Sequence, residues 1–251
     1  MEPIRPGKPE NSGETSGEAL LKGLYAAYAE AAGTRRVACG PGCHACCMDR
    51  VFMTTLEGRY LAQGLWRQGR EDLLARAAGL AGSCQARPAS TFNALARLCL
   101  DHIEPPLEPL PSAVCGPCPL LTGGLCAVYE HRPLACRAMA SLSPCRAGGE
   151  AVEDPFWLTA NAVFFQLVEQ ADKGGGFGPL PAVLARVSGG RGPDLLACED
   201  LPGFLIPPEH QGRLRQMLKK ALGRRVGDMS LGQGLAELRK SAGHTAGRIV
   251  V

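Results

Sequence analysis

Apolar residues recur every three or four positions over most of the chain, which is the spacing of amphipathic helices. The first such segment, residues 16–32, places five apolar side chains on one face: Leu20, Leu21, Leu24, Tyr25 and Tyr28. Further helices are predicted over residues 54–68, 71–80, 91–103, 180–187 and 208–222. Another helix is predicted to begin at 155 and to end at the glycines 174–176. Strand signals are few, at 51–53 and 125–129. The pattern therefore predicts a mainly α fold with little strand.

Local signals mark several helix ends. Thr54 and Glu57 have the spacing of a capping box, in which a hydroxyl and a carboxylate satisfy free amides at a helix start. Pro155 suits the first turn of the helix whose apolar face carries Phe156, Ala160, Val163, Phe164 and Leu167. The prolines at 105, 106, 109 and 111 exclude helix and predict an extended connector. That connector is expected to carry the chain back towards its first cysteines.

Composition divides the chain into three parts. Residues 1–16 are rich in Pro, Gly, Glu and Ser and are predicted to be disordered. Residues 17–222 are predicted to form a single domain, and residues 223–251 a basic, Gly-rich tail with at most one weak helix near 231–240. The glycines at 174–178 follow a helix, which favours a linker over a phosphate-binding loop.

The charge is concentrated near the C-terminus. The segment from Gln211 onward contains nine Lys or Arg and two acidic residues, which gives it a net charge of +7. The net charge of the whole chain is +3. A basic segment can bind nucleic acid or an acidic protein partner. This one has no aromatic residue on which bases could stack, which favours a solvated helix face, and nucleic acid is an unfavoured partner.

No secretory or membrane signal is expected from the sequence. The N-terminal segment lacks an apolar stretch, and no run approaches the roughly 20 apolar residues of a membrane span. A cytoplasmic location is therefore predicted. In that reducing compartment, clustered cysteines are expected to bind metal or to act in redox chemistry rather than to form disulfides. A chain of 251 residues also needs no disulfides to replace a core.

The twelve cysteines include two dense blocks. Cys43 and Cys46, and again Cys115 and Cys118, have the Cys-x-x-Cys spacing that points two thiolates at one ion in zinc and iron–sulfur sites. Seven cysteines are predicted metal ligands, held together in a small irregular centre: Cys43, Cys46, Cys47, Cys118, Cys126, Cys136 and Cys145. A sulfur-rich ligand set suits zinc or an iron–sulfur cluster rather than magnesium or calcium.

Some candidates stay open at this point. Cys39, Cys115 and His44 are either ligands or bystanders, and Cys84, Cys99 and Cys198 are expected to be small core residues. Cys47 directly follows Cys46, and neighbouring side chains do not easily reach one ion. Cys47 is therefore expected to serve a second site or to be a reactive thiol.

The order of residues around the second block resembles that of a known family. The motif residues are Cys-x-x-Cys-Cys at 43–47, Cys-Pro-Leu-Leu at 118–121, and Gly-x-Leu-Cys-x-Val-Tyr-Glu-x-Arg-Pro-x-x-Cys-Arg at 123–137. With Cys145 as the trailing cysteine, the stretch 39–146 resembles the YkgJ-type cysteine-cluster family, whose CxxCxxCC domain chelates zinc or iron. Cys39 departs from that pattern, since it precedes Cys43 by four residues rather than three.

The resemblance implies a chelating domain holding an iron–sulfur centre or Zn²⁺ in a structural or redox role. Two alternatives remain: a cluster-dependent enzyme, because the family's domain occurs in flagellin lysine methylases, and a protein of metal storage or delivery. Around the motif, Arg132 is expected to pair with a carboxylate such as Glu130, and Arg137 to place positive charge beside Cys136. Tyr129 is expected to pack in the core and His131 to be exposed.

Overall fold

The computed structural model describes residues 15–40, 42–83, 87–107, 116–145, 151–190 and 192–240. Cys84, Cys115, the tail from 241 and nearly all of the segment predicted to be disordered lie outside these ranges. The helices are α1 (Ser16–Ala32), α2 (Thr55–Arg67), α3 (Glu71–Gly79), α4 (Phe92–Leu100), α5 (Leu134–Ala138), α6 (Pro155–Ala171), α7 (Leu180–Val187), α8 (Pro208–Leu222) and α9 (Leu231–Lys240). The mainly α class is confirmed.

The strands are short and pair antiparallel. They are β1 (Phe52–Thr54), β2 (Leu121–Thr122), β3 (Leu125–Cys126), β4 (Gly176–Pro179), β5 (Leu196–Ala197), β6 (Arg225–Val226) and β7 (Met229–Ser230). Three of them form a sheet in the order β1-β4-β5, while β2–β3 and β6–β7 are hairpins. The strand predicted over residues 125–129 is only two residues long, because a 3₁₀ turn begins at Tyr129.

The first hydrophobic core lies between α1 and α6. All five apolar side chains of the predicted face of α1 are buried, and the Tyr28 hydroxyl donates a 2.7 Å hydrogen bond to Asn161 Oδ1 on α6. The Tyr28 ring meets Phe164 edge-on, with ring centroids 5.2 Å apart. Each fully buried leucine of such a core stabilises the fold by about 2 kcal/mol. The pairing of α1 with α6 therefore supports the first core.

Helices α8 and α9 close this first core. Leu214 and Leu218 of α8 and Leu231 and Leu235 of α9 are all buried in it. The weak helix predicted near 231–240 is confirmed as α9, but residues 225–240 pack against the core as a hairpin and a helix rather than forming a loose tail. Part of the positive charge is also neutralised, since Lys220 and Arg224 bind Glu30 of α1 at 2.6 and 2.7 Å.

The second hydrophobic core lies among β1, α2, α3 and α7. Helix α2 approaches its neighbours closely at two glycines. A Cβ at Gly58 would lie 2.5 Å from Val183 Cγ1, and one at Gly64 would lie 2.4 Å from His131 Cγ. His131 was expected to be exposed, but it is half-buried against Gly64. This contact brings the second cysteine motif against α2.

The glycine-rich segment predicted as a linker forms β4, the central strand of the sheet. Phe52 of β1 pairs with Pro179, and Ala197 of β5 pairs with Gly176. The glycines are needed because Leu195 covers this strand: a Cβ at Gly178 would lie 2.7 Å from Leu195 Cδ2. The prediction of a linker was wrong. The strand contains glycines because a neighbouring side chain packs closely against it, so it lacks the alternating apolar residues by which strands are recognised in a sequence.

Glu57 of α2 forms hydrogen bonds with α1 and with the start of α5. The predicted capping box with Thr54 is confirmed, and Glu57 Oε2 accepts a 2.9 Å hydrogen bond from the Thr54 amide. Its other oxygen, Oε1, accepts from the Tyr25 hydroxyl at 2.8 Å and from the Leu134 amide at 2.7 Å. A buried carboxylate therefore joins α1, α2 and the start of α5.

Within the described ranges, no helix combines the length and apolar character needed to span a membrane.

Candidate metal centre

The first cysteine block lies on a loop that runs against the segment after α5. The Ala38 amide donates to Ser141 O at 2.8 Å, and the Ser141 amide donates to Cys39 Sγ at 3.3 Å. The chain then turns tightly, because the Cys43 amide donates to Gly40 O at 3.0 Å. A second turn follows, in which the Cys47 amide donates to His44 O at 2.9 Å. These bonds hold Cys39 against the segment that leads to Cys145, and fold the loop tightly before Cys43 and again before Cys47.

The end of the same loop pairs with the start of the second block. Met48 and Pro117 form an isolated antiparallel bridge, and the Cys118 amide donates to Cys47 O at 2.9 Å. The Gly116 amide also donates to Asp49 Oδ2 at 3.2 Å. After the proline connector, whose residues 108–115 lie outside the described ranges, the chain thus lies against the first cysteine block, as predicted.

The second block is held by a hairpin and a short helix. Cys126 pairs with Leu121 across the β2–β3 hairpin, and the Leu121 amide donates to Cys118 O at 3.0 Å. Cys136 lies in α5, whose first amide, that of Leu134, is bound by Glu57. The side chains of Cys118, Cys126 and Cys136 all pack against the second hydrophobic core. This block is thus anchored in the interior of the domain.

Four thiols, which we call the inner group, influence one another electrostatically: Cys47, Cys118, Cys126 and Cys136. Burial raises the pKa of Cys47 to about 11, and negative charge on Cys46, Cys118 and Cys126 adds to the effect. Burial likewise raises the pKa of Cys136, with further contributions from Cys118, Cys126 and Cys47. The inner group therefore combines one thiol of the first block with three of the second.

Four other thiols, which we call the outer group, surround Cys46: Cys39, Cys43, Cys46 itself and Cys145. Burial raises the pKa of Cys46, and repulsion from negative charge on Cys43, Cys39 and Cys145 raises it further. Cys43 and Cys46 are exposed, whereas Cys39 and Cys145 are half-buried. Cys46 is also the thiol with the largest influence on the pKa of Cys47, so the two groups adjoin at this pair.

The seven predicted ligands all lie in these two groups, with Cys39 as the eighth thiol. As they stand, no three or more His, Cys, Asp or Glu side chains of the described ranges are arranged to hold a metal ion. His44 is exposed, and its Nδ1 lies 2.9 Å from Gly42 O in its own loop. Cys99 and Cys198, expected in the core, are half-buried in α4 and after β5.

The charged motif residues are arranged differently from what the sequence predicts. Arg132 stacks on the Tyr129 ring at 3.7 Å instead of pairing with Glu130, and Tyr129 is 57% exposed rather than packed in the core. Arg137 binds the Arg132 and Glu130 carbonyls and lies 4.2 Å over the Tyr25 ring. Arg132 is the cation whose charge opposes the raised pKa of Cys136. Stacking on an aromatic ring competes with ion pairing for an arginine side chain.

Two contributors to the site were not predicted from the sequence. The irregular spacing of Cys39 left its role open, and only its contact with Ser141 places it beside the other thiols. Glu57 was predicted as a helix cap, but its bond to Leu134 also fixes the helix that carries Cys136. Both contacts join residues more than 70 positions apart, so no local pattern could have shown them.

Comparison of the chain with protein-family models, with curated proteins and with solved structures finds no match.

Proposed function

We propose that the chain is a metal-binding cysteine-cluster protein whose thiolates hold an iron–sulfur centre or zinc, in a structural or redox role. The observation that carries this proposal is the junction between the two cysteine blocks. Cys47 and Cys118 are joined by a backbone hydrogen bond, and the Cys47 thiol is influenced by both Cys118 and Cys126. Thiols from distant parts of the sequence thus share one small region of the fold.

The electrostatics of the cluster also favour a cation. Metals bind the thiolate form of cysteine, yet burial and mutual repulsion raise the pKa of Cys46, Cys47, Cys118 and Cys136. Several thiolates are therefore costly at this place unless a positive charge offsets their repulsion. A thiophilic metal ion supplies that charge, and the all-sulfur ligand set fits zinc or iron.

The thiols are neighbours without forming a ready coordination shell. Rotation about χ1 relocates a cysteine sulfur while its backbone stays in place, so the backbone contacts described above are compatible with metal binding. Metal sites commonly form their final arrangement only as the ion binds.

When bound, zinc would cross-link the segments that carry its ligands, and an iron–sulfur cluster would in addition accept and donate an electron. The protein's own groups would tune either centre. The Ser141 amide donates to the sulfur of Cys39, and Arg132 places positive charge near Cys136. Hydrogen bonds and charges beside ligating sulfurs stabilise the anionic state and shift a cluster's potential. The methyltransferase-like alternative rests on the family resemblance alone.

Replacing Cys136 tests the proposal. We expect Cys136→Ser to carry less metal per chain than the wild type after purification without oxygen, and to unfold at a lower temperature, because a serine hydroxyl is a poor ligand for these metals. The control is Cys99→Ser, a half-buried cysteine outside both groups, which should keep the full metal content. A Cys136→Ser protein with undiminished metal would contradict the proposal.

A further inference from the structure

A histidine packs the second cysteine block against helix α2. His131 lies between Cys126 and Cys136, in the 3₁₀ turn that follows β3. Its ring lies directly on the backbone of α2, where a Cβ at Gly64 would be 2.7 Å from His131 Nδ1. The ring also contacts the Tyr60 ring of α2, with ring centroids 4.7 Å apart. The ring therefore occupies space that α2 leaves open only because residue 64 has no side chain.

One ring nitrogen of His131 is enclosed by this contact. Nδ1 is buried and makes no hydrogen bond within the described part of the chain. A neutral imidazole carries one proton, so its other nitrogen is an acceptor only. A neutral ring with its proton on Nε2 therefore fits this place. A protonated ring would bury an N–H donor that has no acceptor, which is costly.

The charges around His131 also favour the neutral ring. Burial is the largest cause that lowers the pKa of His131. Arg67 of α2, Arg137 of α5 and Lys22 of α1 lower it further, and Glu130 of its own turn acts in the opposite direction. A second proton on the ring would thus add positive charge to a place that three cations from three helices already face.

The other charged groups of these elements are engaged elsewhere. Glu57 of α2 gives both oxygens to the hydrogen bonds described above, and Glu18 of α1 pairs with Lys22 at 2.8 Å. Arg132, the next residue of the chain, is a further cation. Both carboxylates thus already have partners other than His131.

We propose that His131 is an acid-sensitive contact, which fastens the second cysteine block to α2 while its ring is neutral and releases the block when the ring binds a proton. The contact does not depend on a bound metal, so this inference goes beyond the proposed function. Release of the block would also loosen the segment that leads to Cys136. Its effect on metal retention is the one part that rests on the proposed function.

The sign of the effect follows from the direction of the pKa shift. Unfolded His131 binds a proton near the ordinary histidine value of about 6.5, whereas the folded chain binds it only at lower pH. The unfolded state therefore binds more protons in this range. The stability that the contact contributes is complete above about pH 6.5 and is lost as the pH falls below that value.

Variants of His131 separate this effect from the other titrating groups. His131→Phe keeps a flat ring but binds no proton, and His131→Gln replaces it if the phenyl ring does not fit beside Gly64. Urea unfolding of the full chain is compared at about pH 7.5 and about pH 5.5. We expect the folding equilibrium constant of the wild type to fall more steeply than that of either variant, by up to about tenfold for each pH unit. All cysteines are the same in these proteins, so their protonation cancels in the comparison.

The control is His102→Asn. His102 is exposed and has a left-handed backbone that asparagine tolerates, so this variant should follow the wild type. An equal acid dependence in the wild type and in the His131 variants would overturn the inference. So would an NMR titration in which the imidazole of folded His131, assigned by its loss in His131→Phe, binds its proton at or above about pH 6.5.

Two measurements at about pH 5.5 locate the release. Amide hydrogen exchange over residues 126–138 should be faster in the wild type than in His131→Phe, and equal exchange would contradict release of the block. Metal loss to EDTA should be faster in the wild type as well. A chain that neither contains metal nor takes it up would overturn the proposed function, and the unfolding and exchange measurements would still test the contact.

Discussion

Zinc binding by the metal-free protein is expected to strengthen by up to about four orders of magnitude for each unit of rising pH near neutrality. The reason is that the ligands are protonated before the metal binds. The pKa of Cys46, Cys118 and Cys136 is raised by burial, and that of Cys47 is raised to about 11. A centre that binds one ion through four protonated thiols must release up to about four protons.

The sign of this dependence follows from which form binds protons. The metal-free protein holds the thiol protons and the metal-bound protein does not, so a higher pH favours the metal-bound form. Because neighbouring thiolates raise one another's pKa, the dependence extends above the ordinary cysteine range of about 8.5 and weakens only near the raised values. At lower pH, protons compete with the metal and the ion is lost.

Competition titration of Zn²⁺ against a coloured chelator at several pH values measures the effect. Calorimetry in buffers of different ionisation enthalpy gives the number of protons released per ion. Cys47→Ser should lower that number at the centre it serves by about one, and Cys99→Ser should leave it unchanged. An affinity that does not change with pH would mean that these thiols are not the ligands.

Replacing Glu57 with glutamine is expected to lower the free energy of unfolding by about 2–4 kcal/mol. Glu57 is only 4% exposed, and both of its oxygens accept hydrogen bonds from Tyr25, Leu134 and Thr54. A glutamine side chain has one accepting oxygen and one amide group that donates, so one end would face donors that it cannot satisfy. Such unsatisfied buried donors are among the costliest consequences of a single substitution.

The same substitution should also weaken metal retention. The Leu134 amide is the first of the helix that carries Cys136, and Glu57 is the acceptor that fixes it. Urea unfolding gives the stability change, and metal analysis after chelator treatment gives the second effect. Exposed Glu237 of α9 supplies the control, since Glu237→Gln should change stability by less than about 0.5 kcal/mol. A Glu57→Gln protein as stable as this control would show that the buried bonds do not act as described.

Most helices could be predicted because their signals are local. The capping box at Thr54 and Glu57 and the proline at the start of α6 each act within one helical turn, and both are found where expected. The segment 180–187 was likewise predicted with the bounds that α7 has. Apolar periodicity and end signals act along the chain, so they can be read without knowledge of the tertiary contacts.

The central strand could not be predicted for the opposite reason. Gly176 and Gly178 are required by the approach of Leu195, which directly precedes the neighbouring strand β5, and the residues around the glycines give no sign of this contact. The packing of residues 225–240 was missed in a similar way, because Leu231 and Leu235 find their partners in α1 and α6. Short elements whose stability comes from distant contacts are the ones that sequence patterns describe least well.

At the cysteine cluster, spacing indicated which residues to consider but not how they associate. Cys-x-x-Cys spacing pointed to Cys43 and Cys46, and in the structure negative charge on Cys43 contributes to the raised pKa of Cys46. The attachment of the first loop to the second block and the position of Cys39 depend on the contacts of the loop with Pro117 on one side and Ser141 on the other. Those contacts are set by the whole fold.

The most direct test of this account is the content of zinc, iron and acid-labile sulfide per chain in protein purified without oxygen. We expect bound metal: either zinc in a colourless protein, or iron with a matching amount of sulfide in a coloured one. A fully folded chain that contains neither, and that takes up neither when they are supplied under reducing conditions, would contradict the claim that these thiols form a metal centre.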